Sequence, residues 1–142
     1  MRIREILQTK GSAVITITPD ASVRDLVVLL KEHNLGAVVV SADGTALDGI
    51  VSERDVVRSL ATDAAVLSAS VSEVMTTGVH TCNPNDSVES LMASMTEHRI
   101  RHLPVVDDDG NLSGIVSIGD VVKSTITQLE FERDQLQGYV SG

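Results

Sequence analysis

The chain has 142 residues, of which 42% are hydrophobic and only 1% aromatic, so we expect one folded unit with a core of aliphatic side chains. Its formal net charge of -9 argues against nucleic acid and anionic lipid surfaces as partners. No apolar run approaches the length that spans a membrane, and residues 1–5 do not lead into a signal peptide, so we predict a cytoplasmic protein.

Two copies of one pattern run along the chain. A shift of 65 positions aligns Thr16 with Thr81 and superposes most of the residues that follow. The match slips by one residue only around a turn that contains an Asp-Gly pair, as expected of an exposed loop. We therefore predict two repeats, over 1–70 and 71–142, that together form one module.

Each copy predicts, in chain order, a strand, a helix, two strands and a second helix. In the first copy, alternating branched residues predict a strand over 14–17, and Ser22 then offers an N-cap for the first helix. Branched residues at 37–40 and 47–51 flank an Asp-Gly turn and predict an antiparallel hairpin. The strand before the helix is expected to pair parallel with the next strand through a right-handed crossover.

The second copy predicts the equivalent hairpin, with strands over 103–106 and 112–116. The stretch 119–137 lacks proline and predicts one long helix whose apolar stripe either covers the chain's own sheet or contacts a second subunit. Helical spacing also predicts that the first helix of each copy buries one face. The residues on these faces are Val23, Leu26, Val27 and Leu30 in the first copy and Val88, Leu91, Met92 and Met95 in the second.

These elements predict an α/β (α+β) fold class. Half a chain of this length buries only a marginal core, and a sheet with one helix-covered face needs a partner for the other face. Two copies satisfy this need by packing on each other. We therefore expect two pseudo-twofold-related β-α-β-β-α repeats packed sheet to sheet, with a cleft between them and a long C-terminal helix.

The strongest chemical signal is a duplicated motif in which a strand runs directly into a helix start. The motif has the form Gly-apolar-apolar-Ser-x-x-Asp, and it places Ser52 and Asp55 in the first copy and Ser117 and Asp120 in the second. The free amides of a helix N-terminus favour phosphate, and a carboxylate accepts hydrogen bonds from a ribose diol. The same spacing is also an ordinary capping box that binds nothing, so both interpretations stay open at this point.

Together these features make the chain resemble CBS domains. The resemblance rests on the duplicated motif, on the segment 71–76 and on the segment 98–105, and it covers the chain from about Ile3 to about Ile126. It implies a regulatory module that binds AMP, ADP, ATP, or in some cases NAD or S-adenosylmethionine, between its repeats. It also implies a homodimer.

The resemblance assigns the serines and aspartates of the motif to phosphate and ribose, and it assigns backbone near the first strand and apolar residues opening the second strand to adenine. Arg54 either reaches phosphate or forms a surface salt bridge, and Gly119, at the same repeat position, permits close approach of a ligand. The predicted nucleotide-binding residues are Thr16, Ala37, Ser52, Arg54, Asp55, Thr81, Arg101, His102, Leu103, Ser117, Gly119 and Asp120.

A basic cluster occurs only in the second copy. His98, Arg99, Arg101 and His102 stand close together in an otherwise acidic chain, where they are expected to attract a phosphate tail. For His98 and Arg99 the alternative is a favourable charge at a helix C-terminus. We predict no metal site, because no carboxylate or thiolate completes a ligand set with these histidines.

The function that this pattern favours is a non-catalytic regulatory module that signals energy or redox state to an unidentified target protein. The alternative is an interaction or dimerisation module with degenerate ligand sites. An enzyme is disfavoured, because no nucleophile-base set or paired general acid and base is visible in the sequence. The single cysteine, Cys82, is expected in the core, with a redox thiol or an intersubunit cross-link as alternatives.

Overall fold

The computed structural model describes residues 1–141, so Gly142 of the predicted second repeat lies outside the described residues. It confirms a mixed fold of helices and small sheets with a long C-terminal helix. A 3-10 helix lies over Ala64–Ser68. The other elements, in chain order, are α1 (Ile3–Lys10), β1 (Thr16–Ile17), α2 (Val23–His33), β2 (Ala37–Val40), β3 (Gly49–Ser52), α3 (Glu53–Thr62), α4 (Val71–Val74), α5 (Val88–His98), β4 (His102–Val106), β5 (Leu112–Ser117) and α6 (Ile118–Ser141).

The first repeat contains a three-stranded sheet in the order β1-β2-β3. As predicted, β1 pairs parallel with β2, and β2 pairs antiparallel with β3. The predicted strand over 14–17 shortens to its last two residues, and the strand predicted over 47–51 begins two residues later and ends one residue later. The position of β3 matters for the site, because Ser52 ends this strand and is also the N-cap of α3.

The second repeat contains the predicted hairpin of β4 and β5, but its expected first strand is reduced to a single parallel bridge between Cys82 and Val105. The Cys82 amide donates to the Pro104 carbonyl at 3.1 Å, and the Val106 amide donates to the Cys82 carbonyl at 2.9 Å. Proline has no N–H, so Pro104 cannot donate the next bond of a parallel ladder. Val39, the equivalent residue of the first repeat, carries an N–H and pairs with Thr16.

The first helix of each repeat buries a narrower face than predicted. In α2 the buried residues are Val23, Leu26 and Leu30, and in α5 they are Val88, Leu91 and Met95. The prediction was wrong for Val27 and Met92, which are 38% and 43% exposed. These two occupy equivalent repeat positions at the edge of the buried stripe, so each helix presents an apolar residue to solvent at the same place.

The two hydrophobic cores exchange the helices that precede the repeats. Helix α1 precedes the first repeat, yet Ile3, Ile6 and Leu7 belong to the core of the second repeat. Helix α4 begins the second repeat in the sequence, yet Val71 lies in the core of the first repeat, with Val74 packed against it. The second core is therefore completed by a helix from the start of the chain, and the first core by the helix that directly follows its own repeat.

Helix α6 projects an apolar stripe that its own chain does not cover. Val121 is buried, but Val122, Ile126, Leu129 and Leu136 are between 51% and 67% exposed. The interpretation that this stripe covers the chain's own sheet is therefore wrong, and a contact with a second subunit stays a prediction. Within residues 1–141, no helix has the length and apolar character needed to cross a membrane.

Candidate functional site

A cavity of about 540 Å³ lies between the two repeats. Its volume is in the usual range for sites of small organic ligands. The first repeat contributes the start of β2, part of β3 and the first turns of α3. The second repeat contributes the segment between α4 and α5 and the residues that lead from α5 into β4. The lining residues are 36–37, Ile50, 52–55 and Arg58 from the first repeat and Thr76, 78–80 and 99–102 from the second.

Ser52 and Asp55 line the cavity and form the predicted capping box. The Asp55 amide donates to Ser52 Oγ at 3.3 Å, and the Ser52 amide donates to Asp55 Oδ2 at 2.8 Å. Ser52 Oγ also donates to Asp55 Oδ2 at 3.0 Å. Within the described residues, Asp55 Oδ1 accepts no hydrogen bond. The cap therefore uses one carboxylate oxygen and leaves the other free to accept from a ligand.

Four arginines give the cavity its charge. Arg54 and Arg58 lie one turn apart on α3, and Arg99 and Arg101 approach from the second repeat. None of these guanidinium groups forms an ion pair in the described part of the chain, so the salt bridge considered for Arg54 is absent there. The cavity thus collects four of the chain's 11 basic residues, against two acidic lining residues, Glu53 and Asp55.

His102, from the second repeat, lies against the glycine that precedes β2. A Cβ atom added at Gly36 would lie 3.3 Å from His102 Cε1, so the imidazole packs directly on the glycine that precedes β2. Burial lowers the pKa of His102, and the nearby positive charge of Lys10 lowers it further. The imidazole is therefore neutral at pH 7, and the positive charge of the cavity comes from the arginines.

The other members of the predicted basic cluster do not all lie at the cavity. Arg99 is the C-cap of α5, with a left-handed φ of 55°, and it also lines the cavity, so its contact with phosphate stays a prediction. His98 does not line the cavity and stacks on His80, with ring centroids 3.7 Å apart. The cluster is therefore a set of two arginines and a neutral histidine on the cavity wall.

The equivalent motif in the second repeat has an additional partner. Asp120 Oδ2 accepts from the Ser117 amide at 2.9 Å and from Lys10 Nζ at 2.6 Å. Lys10 Nζ also donates to the Ile115 carbonyl at 2.7 Å. Burial raises the pKa of Asp120, but the bonds from Lys10 and Ser117 outweigh it, and the net pKa is lowered. A cation from α1 therefore shares the capping oxygen of Asp120, while its Oδ1 accepts no hydrogen bond from residues 1–141.

The structure brings together half of the predicted site residues. Those that line the cavity are Ala37, Ser52, Arg54, Asp55, Arg101 and His102. Those outside its lining are Thr16, Thr81, Leu103, Ser117, Gly119 and Asp120. Thr16 pairs with β2, and Leu103 is a core residue with 1% exposure.

Several lining residues were not among those predicted. Arg58 follows Arg54 by one helical turn, a spacing from which it could have been found. Gly78 and His80 lie in the segment between α4 and α5, and no local pattern marks them. Their place at the cavity depends on how the two repeats pack.

Cys82 lies in the second core and is 7% exposed. Burial raises the pKa of its thiol to about 12, and the charge of Asp86 adds to this effect. Thiolate is the reactive form of cysteine, so this thiol has the properties of a core residue.

Comparison with known proteins places these features in one family. The family model for the CBS domain matches residues 3–62 and 71–126. The CBS domain-containing protein YhcV of Bacillus subtilis is 36% identical over 116 residues, which cover 82% of this chain and 81% of the relative. The CBS-domain containing protein ATU1752 from Agrobacterium tumefaciens superposes with a TM-score of 0.83 at 44% identity, covering 87% of this chain and 92% of that one.

A third protein was solved with a ligand. The CBS domain protein PAE2072 from Pyrobaculum aerophilum, complexed with AMP, has a TM-score of 0.74 at 27% identity and covers 84% of this chain and 89% of its own. The family model and the similar structures agree with the duplicated strand-to-helix motif and with the cavity between the repeats. The chain belongs to the CBS domain family, as a pair of CBS repeats.

Proposed function

We propose that this protein is a non-catalytic regulatory module that binds an adenine nucleotide in the cavity between its repeats. The observation that carries this proposal is the meeting of one free carboxylate oxygen and four arginines in one cavity. Binding reports energy or redox state to a partner protein, because AMP, ADP, ATP and NAD change in concentration with that state.

The lining offers a partner for each part of a nucleotide. Ala37, Ile50, Val79 and Ile100 supply apolar surface for a purine. Asp55 keeps one oxygen for the ribose hydroxyls while its other oxygen caps α3. The capping role and the ligand role are therefore compatible. AMP bound to the related protein from Pyrobaculum aerophilum supports the same ligand class here.

The charge of the cavity favours ligands with phosphate groups. Hydrogen bonds between guanidinium and phosphate are charge-assisted and often bidentate, which makes them stronger than neutral ones. The sulfonium of S-adenosylmethionine is positive and would face the same four arginines. We therefore rank ATP and ADP above AMP, and all three above S-adenosylmethionine.

A thermal-shift experiment with matched cap variants tests this function. Millimolar ATP is expected to raise the melting temperature of the wild type, because a ligand of the native state stabilises it by mass action. Ser52→Ala removes a cap and a cavity hydroxyl, so it should lower the melting temperature without ligand and also reduce the ATP shift. Ser22→Ala removes only the cap of α2, where Ser22 Oγ accepts from the Asp25 amide at 3.0 Å.

The two variants separate capping from ligand binding. Each is expected to cost about 1 kcal/mol of stability as a lost N-cap, but only Ser52→Ala should change the shift with ATP. Equal ATP shifts in both variants would show that Ser52 is a cap alone. The absence of any wild-type shift with AMP, ADP, ATP or NAD would refute the proposed function.

The alternative function is an interaction or dimerisation module, and the exposed stripe of α6 favours it. Leu129 and Leu136 are 59% and 67% exposed on a helix that extends beyond the core, and the spacing of the stripe is that of a helix-helix seam.

We expect a homodimer in sedimentation equilibrium, and Leu129→Glu combined with Leu136→Glu should shift it to monomer. Met92→Glu, at an exposed position of α5, is the control for added charge. A wild-type monomer would contradict the subunit contact.

A further inference from the structure

We propose that the α6 helices of two copies of this chain pair as a parallel, in-register coiled coil, in which Arg133 contacts Glu132 of the partner subunit. This pairing rests on the subunit contact of the alternative function, to which it assigns an orientation and a register. It is independent of nucleotide binding.

The C-terminal part of α6 is exposed along its length. Every residue from Thr125 to Val140 is exposed, and none belongs to either hydrophobic core. A single helix of this length is only marginally stable in water, because most helices in proteins are held by the packing of an apolar face. A second helix along this segment would supply the packing that the chain itself does not.

The apolar stripe of α6 has the residue types of a two-stranded parallel coiled coil. It extends to Val140, which is 83% exposed. Spacings of four and three residues alternate along it, with Val122, Leu129 and Leu136 at position d of a heptad and Ile126, Arg133 and Val140 at position a. Branched residues at a and leucine at d favour two parallel strands. The second copy of the chain therefore fits this stripe.

The charges beside the stripe distinguish the two orientations of such a pair. In a fully overlapped antiparallel pair, e faces e and g faces g, so Glu130 would face the partner's Glu130 and Glu132 the partner's Glu132. In a parallel pair, g faces the next e of the partner, which places Glu132 against Gln137 and Thr125 against Glu130. The parallel pair therefore avoids both like-charge contacts.

Arg133 sets the register of the pair. In register, the two Arg133 side chains share one layer, whereas a shift by one heptad or an antiparallel pair would set each against an apolar residue and interrupt two layers. The hole that receives a side chain at position a includes the partner's preceding g residue, which is Glu132. The charged layer thus carries its own counter-charges. A single polar residue at an a position is known to specify register at a cost in stability.

The present contacts of these two residues do not oppose the pairing. Arg133 pairs with Asp134 at 3.2 Å, but the two side chains are 63% and 65% exposed, and a surface pair of this kind contributes little stability. Glu132 accepts from Gln128 at 3.4 Å, also at exposed positions. Both side chains can therefore turn to the partner at little cost.

Oxidative cross-linking of one introduced cysteine tests the orientation. Leu136→Cys should give a covalent dimer on mild oxidation, because a parallel pair places position 136 opposite itself, within reach of a disulfide. Gln135→Cys, on the other side of the helix, is the matched control and should not cross-link. Cys82 does not contribute, because it is buried and burial raises the pKa of its thiol to about 12.

A mixture of Ile126→Cys and Leu136→Cys chains detects the antiparallel pair. In a fully overlapped antiparallel pair these two positions face each other, so mass spectrometry would find dimers of one chain of each kind. The parallel pair predicts dimers of two identical variants instead. Mixed dimers, or a dimeric Leu136→Cys protein that does not cross-link, would overturn the parallel orientation.

Exchange of charges tests the contact between Arg133 and Glu132. Glu132→Arg should raise the dimer dissociation constant by a factor on the order of ten or more, because it removes two charge-assisted contacts from each dimer. Glu132→Arg combined with Arg133→Glu should restore it. Glu130→Arg makes the same change of charge opposite Thr125 and should have little effect. Sedimentation equilibrium measures all four proteins, with the wild type as reference.

Equal effects of Glu132→Arg and Glu130→Arg, or no recovery in the double variant, would overturn the contact between Arg133 and the partner's Glu132. A monomeric wild type would refute both the pairing and the subunit contact on which it rests. A dimer that fails only the cross-linking test would refute the orientation and retain the subunit contact.

Discussion

Replacement of Arg54 and Arg101 together by glutamate is expected to weaken ATP binding by a factor on the order of 100 or more, since each hydrogen bond to a charged group contributes about 1.5–3 kcal/mol. These arginines reach the cavity from opposite repeats and have no ion-pair partner within the described residues. Glutamate at both positions removes two cations and adds two repulsive charges. Titration calorimetry with ATP and with AMP measures the effect.

The loss should be larger for ATP than for AMP, because the triphosphate places more charge near the arginines. Arg24→Glu combined with Lys31→Glu is the control, since it makes the same change in net charge on the exposed surface of α2. Equal losses in the two double variants would show that long-range charge dominates. Unchanged ATP affinity in the cavity variant would contradict the assignment of the arginines to phosphate.

Replacement of Ile3 by alanine is expected to lower the free energy of unfolding by about 2–5 kcal/mol, the usual range when a large aliphatic side chain is truncated in a core. Ile3 has 0% exposure and lies in the second repeat's core, although it stands near the start of the chain. Urea denaturation measures the effect, and the slope of the transition should not change. Gln8→Ala, at an exposed position of the same helix, should be nearly neutral.

Hydrogen exchange measures which elements lose amide protection in Ile3→Ala. Amides of α5 and β4 should lose protection first, because their buried residues share a cluster with Ile3. The sheet of β1, β2 and β3 belongs to the other cluster and should be affected less. Loss of protection confined to the first repeat would contradict the exchange of helices between the cores.

The strand-to-helix motif shows how much of the site local pattern predicts. Ser52 and Asp55 stand three residues apart, and so do Ser117 and Asp120, so their capping bonds depend on the first turn of one helix. The pattern could not say whether the aspartates were free for a ligand. Both aspartates keep Oδ1 without a hydrogen-bond donor among residues 1–141, but Oδ2 of Asp120 also accepts from Lys10, which lies 110 positions away in the sequence.

The sequence by itself determined the repeat, the hairpins, the helices α2, α3, α5 and α6, and the capping boxes at Ser52 and Ser117, because these depend on residues that are close along the chain. It did not indicate α1, α4 or the 3-10 helix, and the first strand that it predicted for the second repeat is a single bridge. Only the tertiary structure decided that α1 completes the core of the second repeat, that Lys10 reaches Asp120, and that Gly78 lines the same cavity as Asp55. Such contacts join residues far apart in sequence, and they follow from the packing of two similar but unequal halves. The physical reason is that repetition sets equivalent backbone positions, whereas the side chains that differ between the copies determine which long-range contacts form.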